Sequence, residues 1–459
     1  MFKKNINFNL INILIFSVLL RLALPLLALQ FTQTYQIFHV GDTPSFLQPA
    51  TSLIQTGRFL DADGTPNIFR TPGYPIFLIP GLILNQVEII TIFLQTVLST
   101  FTVYLVFQIG VICFNQKIAK LCALLYALEP LSILYTSLLL SETLFTALYT
   151  LFIYLLIKSI DNDYKLIKLL PIAGLCLSAA IYVRPIAYYL VILVPILLVF
   201  LQLKPTQIKK KVILVYIILF LIFSLTPVYL WQVRNKTQTG YSGISAVTEV
   251  NLYYWHAGAI LTAKKQLSFN QVVEQLRNNL DNELTVEETK NKAKLYQYMR
   301  EKGVKVIKDN PLMYLNLRLN GTVNLLVDLA PWPWLKLFKI KYDLSLFPMS
   351  ITEFYQGGWL GLVNAYINKM PFSITLIWII LELIMIPYLI LALIGIFSNQ
   401  LLNKIPIIII LSLGAYLIAI TGGPEGVSSR YRHPIMPIIC LFAGYGLNWV
   451  IKKFKVETL

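Results

Sequence analysis

The chain has 459 residues, of which 57% are apolar and 13% are charged, and this composition excludes a soluble globular protein. Its formal net charge of +16 does not require a nucleic acid partner, because much of the surplus lies in short turns between apolar runs, where lysines orient membrane helices. The sequence therefore predicts an all-α, polytopic membrane protein.

Ten apolar runs along the chain are long enough to cross a bilayer, which takes about 20 residues. The predicted spans are 10–31, 86–112, 117–136, 139–158, 166–182, 185–203, 212–232, 371–397, 405–421 and 434–451. Lysine-bearing connections are expected to be cytoplasmic under the positive-inside rule. These lysines are Lys3, Lys4, Lys117, Lys120, those from Lys158 to Lys168 and from Lys204 to Lys211, Lys404, and those from Lys452 to Lys455.

This topology divides the chain into three parts. A seven-span block covers 1–232 and includes a first outer loop at 32–85, an extracytoplasmic or interfacial helical segment covers 233–370, and a three-span block covers 371–459. Within the middle part, 312–334 is expected to be an interfacial or buried bundle helix. A crossing by this segment stays open, and it would need a compensating partner elsewhere.

The first outer loop contains residues that a simple anchor does not need. Asp42 could take a proton from a hydroxyl, and Arg70 could hold a phosphate beside a bilayer that presents lipid-linked substrates. The residue pattern leaves a second interpretation of Asp42 open, because Asp42-Thr43-Pro44 also resembles the start of a helix. Arg70 could likewise bind lipid headgroups at the interface.

A set of short motifs resembles the GT-C superfamily of membrane glycosyltransferases, and more narrowly its protein mannosyltransferase and aminoarabinose transferase branch. The motifs are Gly41-Asp42, Phe69-Arg70-Thr71-Pro72-Gly73-Tyr74-Pro75, Leu140-Ser141-Glu142-Thr143, Val183-Arg184-Pro185, Trp231-Gln232-Val233-Arg234-Asn235 and Ser429-Arg430-Tyr431-Arg432-His433-Pro434. The resemblance implies that Asp42 activates the acceptor. At the position of Arg70, relatives in the aminoarabinose branch carry a lysine, so the charge is kept while the contact geometry differs.

Several arginines lie on the side of the membrane that should be poor in cations, which suggests an anionic ligand. Arg184, Arg234 and Arg432 are assigned with Arg70 to the donor phosphate, and internal salt bridges are the alternative. Arg430 belongs to the same cluster in sequence but receives no role of its own.

A polar pocket is also expected. It would hold the donor or acceptor and would be formed by Tyr74, Tyr135, Glu142 and His433. Glu142 could also bind a divalent metal together with Asp42, or could simply start a helix. No cofactor is required by the sequence, and a metal stays optional.

These observations favour an enzyme that moves a hexosyl or pentosyl unit from a polyprenyl phosphate donor to a protein, lipid or glycan acceptor. We expect a multi-pass protein of a bacterial inner membrane, with its site on the extracytoplasmic face. Nucleotide-binding glycine loops are absent from the sequence, which disfavours a nucleotide-sugar donor. A transporter or flippase of a lipid-linked sugar is the alternative, and a scaffold without an active site is a third interpretation.

Overall fold

The computed structural model describes residues 9–164, 167–201, 210–327, 331–341, 343, 345–398, 404–424 and 429–457. The predicted cytoplasmic lysines at 3, 4, 165, 204 and 209 lie outside these ranges. In the described part of the chain, six helices are long and apolar enough to cross a membrane, and four shorter apolar helices accompany them. The expectation of an all-α polytopic membrane protein is confirmed.

The amino-terminal block contains ten α-helices. They are α1 (Leu10–Thr32), α2 (Thr43–Thr56), α3 (Gly73–Ile83), α4 (Val87–Cys113), α5 (Gln116–Leu128), α6 (Pro130–Leu134), α7 (Glu142–Tyr164), α8 (Leu170–Val183), α9 (Leu190–Leu201) and α10 (Lys210–Thr239). Short 3-10 turns lie at Tyr35–Phe38, Ile167–Leu169 and Pro185–Ala187. Helix α10 continues seven residues beyond the predicted block boundary at 232, so Arg234 is still helical.

The predicted span 117–136 is two helices rather than one, and this corrects the sequence interpretation. Pro130 occupies the first position of α6, and Glu129 accepts bonds from the backbone N–H groups of Leu131 at 3.0 Å and Ser132 at 2.6 Å. A residue that precedes proline avoids helical geometry, and a carboxylate at an N-cap satisfies the free donors of the new helix.

Arg21 holds the open end of α5 in place. It is fully buried and donates to the Ala127 carbonyl at 3.0 Å, to Ser99 Oγ at 2.7 Å and to Ser132 Oγ at 2.8 Å. The last carbonyls of a helix lack partners within that helix. An intramembrane arginine, which is expensive to bury, therefore satisfies them here.

The middle part is helical and lies between α10 and the carboxy-terminal block. Its elements are α11 (Val247–Val250), a π-helix (Asn251–Ala257), α12 (Gly258–Lys265), α13 (Phe269–Glu283), α14 (Val286–Lys290), α15 (Lys292–Asp309), α16 (Pro311–Val327), α17 (Trp332–Leu337) and α18 (Leu346–Asn368). We call residues 240–310 the outer segment. Its amphipathic helix α13 buries Val272, Leu276 and Leu280 against Tyr298 and Met299 of α15.

The carboxy-terminal block closes the bundle. It contains α19 (Phe372–Phe397), α20 (Ile405–Thr421), a 3-10 helix (Ser429–Ile435) and α21 (Met436–Glu457). Helices α19 and α21 approach each other through small residues: a Cβ on Gly446 would overlap the Leu391 carbonyl oxygen. Small residues permit such close packing inside membranes. The 3-10 helix contacts α7, α16 and α20, so Arg430 lies near the start of α7.

Candidate active site

The site begins at Asp42, in the first outer loop. Asp42 occupies the N-cap position of α2, but its side chain makes no capping hydrogen bond. The neighbouring Thr43 hydroxyl ties the loop down instead, accepting from the Val40 N–H at 2.9 Å and donating to the Leu139 carbonyl at 3.0 Å. The capping interpretation of Asp42 therefore does not describe its contacts.

Two arginines from distant parts of the chain bind the two oxygens of Asp42. Arg70 Nη2 donates to Asp42 Oδ1 at 2.7 Å, and Arg430 Nη2 lies 2.7 Å from Asp42 Oδ2. Arg70 is fixed further by Ser45 Oγ, which accepts from its Nε at 2.8 Å. The Arg70 guanidinium also lies 4.3 Å from the centre of the Phe46 ring, where the cation is attracted by the ring face.

A second, deeper carboxylate shares one of these arginines. Glu142 opens α7 and is fully buried, and Arg430 Nε lies 2.8 Å from its Oε1. Arg184, at the end of α8, pairs with the same oxygen. Arg430 thus connects Asp42, which lies in the cavity wall, to Glu142, which is buried behind it.

The charges around Asp42 set its protonation state. Burial raises the pKa of this carboxyl, but the Arg430 and Arg70 guanidiniums outweigh burial and hold it well below its ordinary value. Asp42 is therefore ionised at neutral pH. Three guanidiniums, those of Arg70, Arg184 and Arg430, face the two carboxylates of Asp42 and Glu142, which leaves one positive charge in excess and favours an anionic ligand.

A cavity of about 240 Å³ opens at this cluster. Its wall contains Asp42 and the three arginines, together with aromatic and hydroxyl or amide side chains. The aromatic residues are Phe46, Phe69, Trp255 and Tyr431, and the polar ones are Thr71, Ser141, Ser245 and Asn251. Ser245, Asn251 and Trp255 come from the outer segment, so this segment covers the cavity.

The structure places Arg70 and Arg184 in the cavity wall with Asp42, but it separates two other predicted phosphate ligands from that wall. Arg234 donates to the Asn67 carbonyl at 2.6 Å and to the Phe59 carbonyl at 2.8 Å. Arg432 is fully buried and donates to the Leu325 and Leu326 carbonyls at 2.9 and 2.7 Å. Both guanidiniums hold backbone in place.

Arg430 is the residue whose place sequence reasoning missed. The motif around Tyr431 contains two arginines, Arg430 and Arg432. Without the local backbone conformation, the sequence does not show which of them faces the cavity. Residues 429–435 form a 3-10 helix, which turns by about 120° per residue. Positions 430 and 432 therefore point in different directions, and Arg430 faces Asp42 while Arg432 faces α16.

The predicted pocket residues lie behind the cavity wall. Tyr74 is buried and donates to Gln95 Oε1 at 3.0 Å. The Tyr135 ring packs 5.2 Å from the His433 ring, and His433 Nδ1 lies 3.3 Å from Thr146 Oγ1. These side chains support the walls, while Glu142 touches the site through Arg430 and Arg184.

Asp42 and Glu142, the two carboxylates suggested as metal ligands, are paired with arginines. Among the described residues, no group of three or more His, Cys, Asp and Glu side chains could hold a metal ion. Asp42 and Glu142 both bind guanidiniums, a donor set that does not fit a divalent cation as it stands.

Comparison with known proteins finds one matching family model and several similar folds. Residues 73–231 match the family model of dolichyl-phosphate-mannose-protein mannosyltransferases. This segment contains Tyr74, Tyr135, Glu142 and Arg184, while Asp42, Arg70 and Arg430 lie outside it. No curated protein matches the chain in sequence.

Two solved structures share the fold. The Archaeoglobus fulgidus oligosaccharyltransferase, tethered to an acceptor peptide with an NVT sequon, is 10% identical with a TM-score of 0.54, and the match covers 98% of this chain and 50% of that one. The same organism's oligosaccharyltransferase AglB, in complex with an inhibitory peptide and a dolichol-phosphate, is 10% identical with a TM-score of 0.52, over 98% and 51% of the two chains. The chain thus spans about half the length of these relatives.

A more distant likeness is found with ArnT from Cupriavidus metallidurans bound to undecaprenyl phosphate, at 12% identity and a TM-score of 0.39, over 94% of this chain and 77% of that one. The matched family segment and the helical fold shared with the archaeal oligosaccharyltransferase confirm the resemblance of this chain to the GT-C superfamily.

Proposed function

We propose that the protein is an integral membrane glycosyltransferase that moves a sugar from a polyprenyl phosphate donor to an acceptor on the extracytoplasmic side of a bacterial inner membrane. The observation that carries this proposal is the Asp42 carboxylate, exposed for 31% of its side chain at a cavity and bound by Arg70 and Arg430. A base beside a surplus of fixed cations suits transfer from a phosphate leaving group.

Each group has a role in a single displacement. An acceptor hydroxyl loses its proton to Asp42 as its oxygen forms a bond to the anomeric carbon. The bond between that carbon and the phosphate oxygen breaks, and the polyprenyl phosphate departs with the electron pair. Arg70, Arg430 and Arg184 neutralise the charge that develops on the phosphate.

Donor binding would also change the strength of the base. Without a donor, two guanidiniums bind Asp42 and hold its pKa low, which makes it a weak proton acceptor. A phosphate that draws Arg70 and Arg430 towards its own oxygens would weaken both contacts and raise the pKa of Asp42. The carboxylate would then become an effective base only when the donor is in place.

The outer segment supports recognition of the sugars. It supplies Trp255 and Asn251 to the cavity wall, and an indole face with a carboxamide suits the apolar face and the hydroxyls of a pyranose or furanose ring. We propose that this wall helps to select a hexosyl or pentosyl unit and presents the protein, lipid or glycan acceptor.

The decisive experiment measures release of labelled polyprenyl phosphate by purified protein in lipid nanodiscs. Asp42→Asn should lower the transfer rate by about 100-fold or more, because a general base contributes about 10²–10⁴. The same variant should bind undecaprenyl phosphate as tightly as the wild type or more tightly, because the arginines lose a competing carboxylate.

Asp309→Asn, which changes an exposed carboxylate at the end of α15, is the control and should behave like the wild type. Full transfer by Asp42→Asn would reject the assigned base. In proteoliposomes, movement of an intact labelled donor across the bilayer without release of its phosphate would instead support the transporter alternative.

A further inference from the structure

The chain just before Arg70 is a short hairpin. Residues 57–72 connect α2 to α3 and turn at Asp61–Gly64, where Gly64 has a φ of +76°. The Asp61 N–H donates to the Thr65 carbonyl at 2.8 Å, and the Asn67 N–H donates to the Phe59 carbonyl at 3.0 Å. The hairpin delivers Arg70 to the cavity at its end.

Four consecutive carbonyl groups of this hairpin, from residue 66 to residue 69, accept hydrogen bonds from α10 or from the outer segment. The pairs are Lys292 Nζ to Pro66 at 2.9 Å, Arg234 Nη1 to Asn67 at 2.6 Å, the Ala246 N–H to Ile68 at 2.9 Å, and Ser245 Oγ to Phe69 at 2.5 Å. Because each of these four carbonyls is bonded, the position of the backbone that precedes Arg70 depends on α10 and on the outer segment.

A line of polar contacts runs from α15 to the backbone of Arg70. Lys292 pairs with Asp61, Asp61 accepts from the Asn67 amide, and Asn67 Oδ1 accepts from the Arg70 N–H at 2.9 Å. The Lys292 side chain is only 17% exposed, while that of Lys294, two residues along the same helix, is 58% exposed and pairs with Glu288 at the surface. Lys292 is thus built into the junction, whereas Lys294 is an ordinary surface charge.

We propose that Lys292 is a positioning residue for Arg70, and that the outer segment, through Asp61 and Asn67, sets where this guanidinium meets the donor phosphate. The inference rests on the proposed function, since it assigns Arg70 to the phosphate. It adds that a residue on α15, which belongs to the outer segment, controls donor affinity, so the segment that covers the cavity also adjusts its phosphate contact.

The test is a double-mutant cycle on the full-length protein in lipid nanodiscs, with undecaprenyl phosphate as the probe and its Kd as the readout. Lys292→Met should weaken binding about threefold to tenfold, a usual size for coupled neighbours. In an Arg70→Ala background the same change should have no further effect, because the residue it positions is gone. Equal weakening in both backgrounds would overturn the proposal.

A second variant, Asp61→Asn, distinguishes a purely electrostatic effect on donor binding from positioning of Arg70. Removing a negative charge near the site should tighten anion binding if only electrostatics matters, whereas loss of the Lys292 contact should weaken it if Lys292 positions Arg70. We expect weaker binding, and tighter binding would contradict the proposal.

Two further variants complete the test. Lys292→Arg should keep most of the affinity, and Lys294→Met should match the wild type. If the wild-type protein itself fails to bind undecaprenyl phosphate, the proposed function fails. If the wild type binds and the cycle is additive, only the role of Lys292 fails.

Discussion

At the scale of residues, the site consists of three arginines that are paired with only two carboxylates. Arg430 contacts both Asp42 and Glu142, while Arg70 and Arg184 each contact one of them. Breaking one member of such a buried set leaves an opposite charge without compensation. Arg430 should therefore matter most, because its loss affects both carboxylates.

Arg430 and Arg432 are a natural pair for comparison. Arg430→Gln should weaken binding of undecaprenyl phosphate by about tenfold or more, since charge-assisted bonds contribute about 1.5–3 kcal/mol. Arg432→Gln should instead lower the melting temperature, because the buried carbonyls of Leu325 and Leu326 lose their donor. Calorimetric binding and thermal unfolding in the same detergent separate the two effects. Weaker donor binding by Arg432→Gln, with unchanged binding by Arg430→Gln, would contradict these roles.

At the scale of elements, the π-helix at 251–257 forms part of the cavity wall and needs support from behind. Asn251 and Trp255 lie on its cavity side, and Trp255 packs against Phe269 with ring centres 5.2 Å apart. Helix α15 approaches the π-helix so closely that a Cβ on Gly303 would lie 2.7 Å from the Leu252 carbonyl oxygen. Such wide turns are frequent at functional sites, where they redirect side chains.

Gly303→Ala tests this close approach. The added methyl group would push α15 away from the π-helix, and overpacking of this kind costs about 1–3 kcal/mol. We expect a lower melting temperature and slower transfer, measured by thermal unfolding and by the release of labelled polyprenyl phosphate. Gly357→Ala is the matched control, since nothing lies within 4 Å of a Cβ built there; equal effects of both changes would argue against the packing role.

At the scale of the whole molecule, the site joins parts of the chain that lie far apart in sequence. Asp42 and Arg70 come from the first outer loop, Glu142 and Arg184 from α7 and the end of α8, and Arg430 from the 3-10 helix at 429–435. The proposed sidedness requires all of these to be extracytoplasmic, opposite to the turn that contains Lys117.

Accessibility to a membrane-impermeant maleimide checks this topology. Val286→Cys places a thiol on α14 at a position that is 71% exposed, and it should react in intact spheroplasts. Lys117→Cys, exposed at the start of α5, should react only after permeabilisation. Wild-type protein gives the background, because Cys113, Cys122 and Cys440 are buried while Cys176 is half-buried and sets the native level of labelling. The reverse pattern would place Asp42 on the wrong side for the proposed donor.

The sequence by itself determined the class of the molecule and part of the site. Apolar run length predicted most of the membrane helices, since a helix must be apolar to lie in lipid, but it missed the break before Pro130. The motifs predicted the resemblance that the comparisons confirm. They also predicted Asp42, Arg70 and Arg184, whose proximity the structure now describes. The roles of these three residues stay predictions until the variants are measured.

Only the tertiary structure decided which arginines meet Asp42 and what holds them there. Arg234 and Arg432 look as suitable as Arg430 in sequence, because charge and motif position say nothing about direction. The turn of a 3-10 helix sent Arg430 to the cavity and Arg432 to buried carbonyls, and the end of α10 placed Arg234 on the hairpin. Local sequence determines whether a segment can be helical, but the partner of each side chain depends on how distant segments pack together.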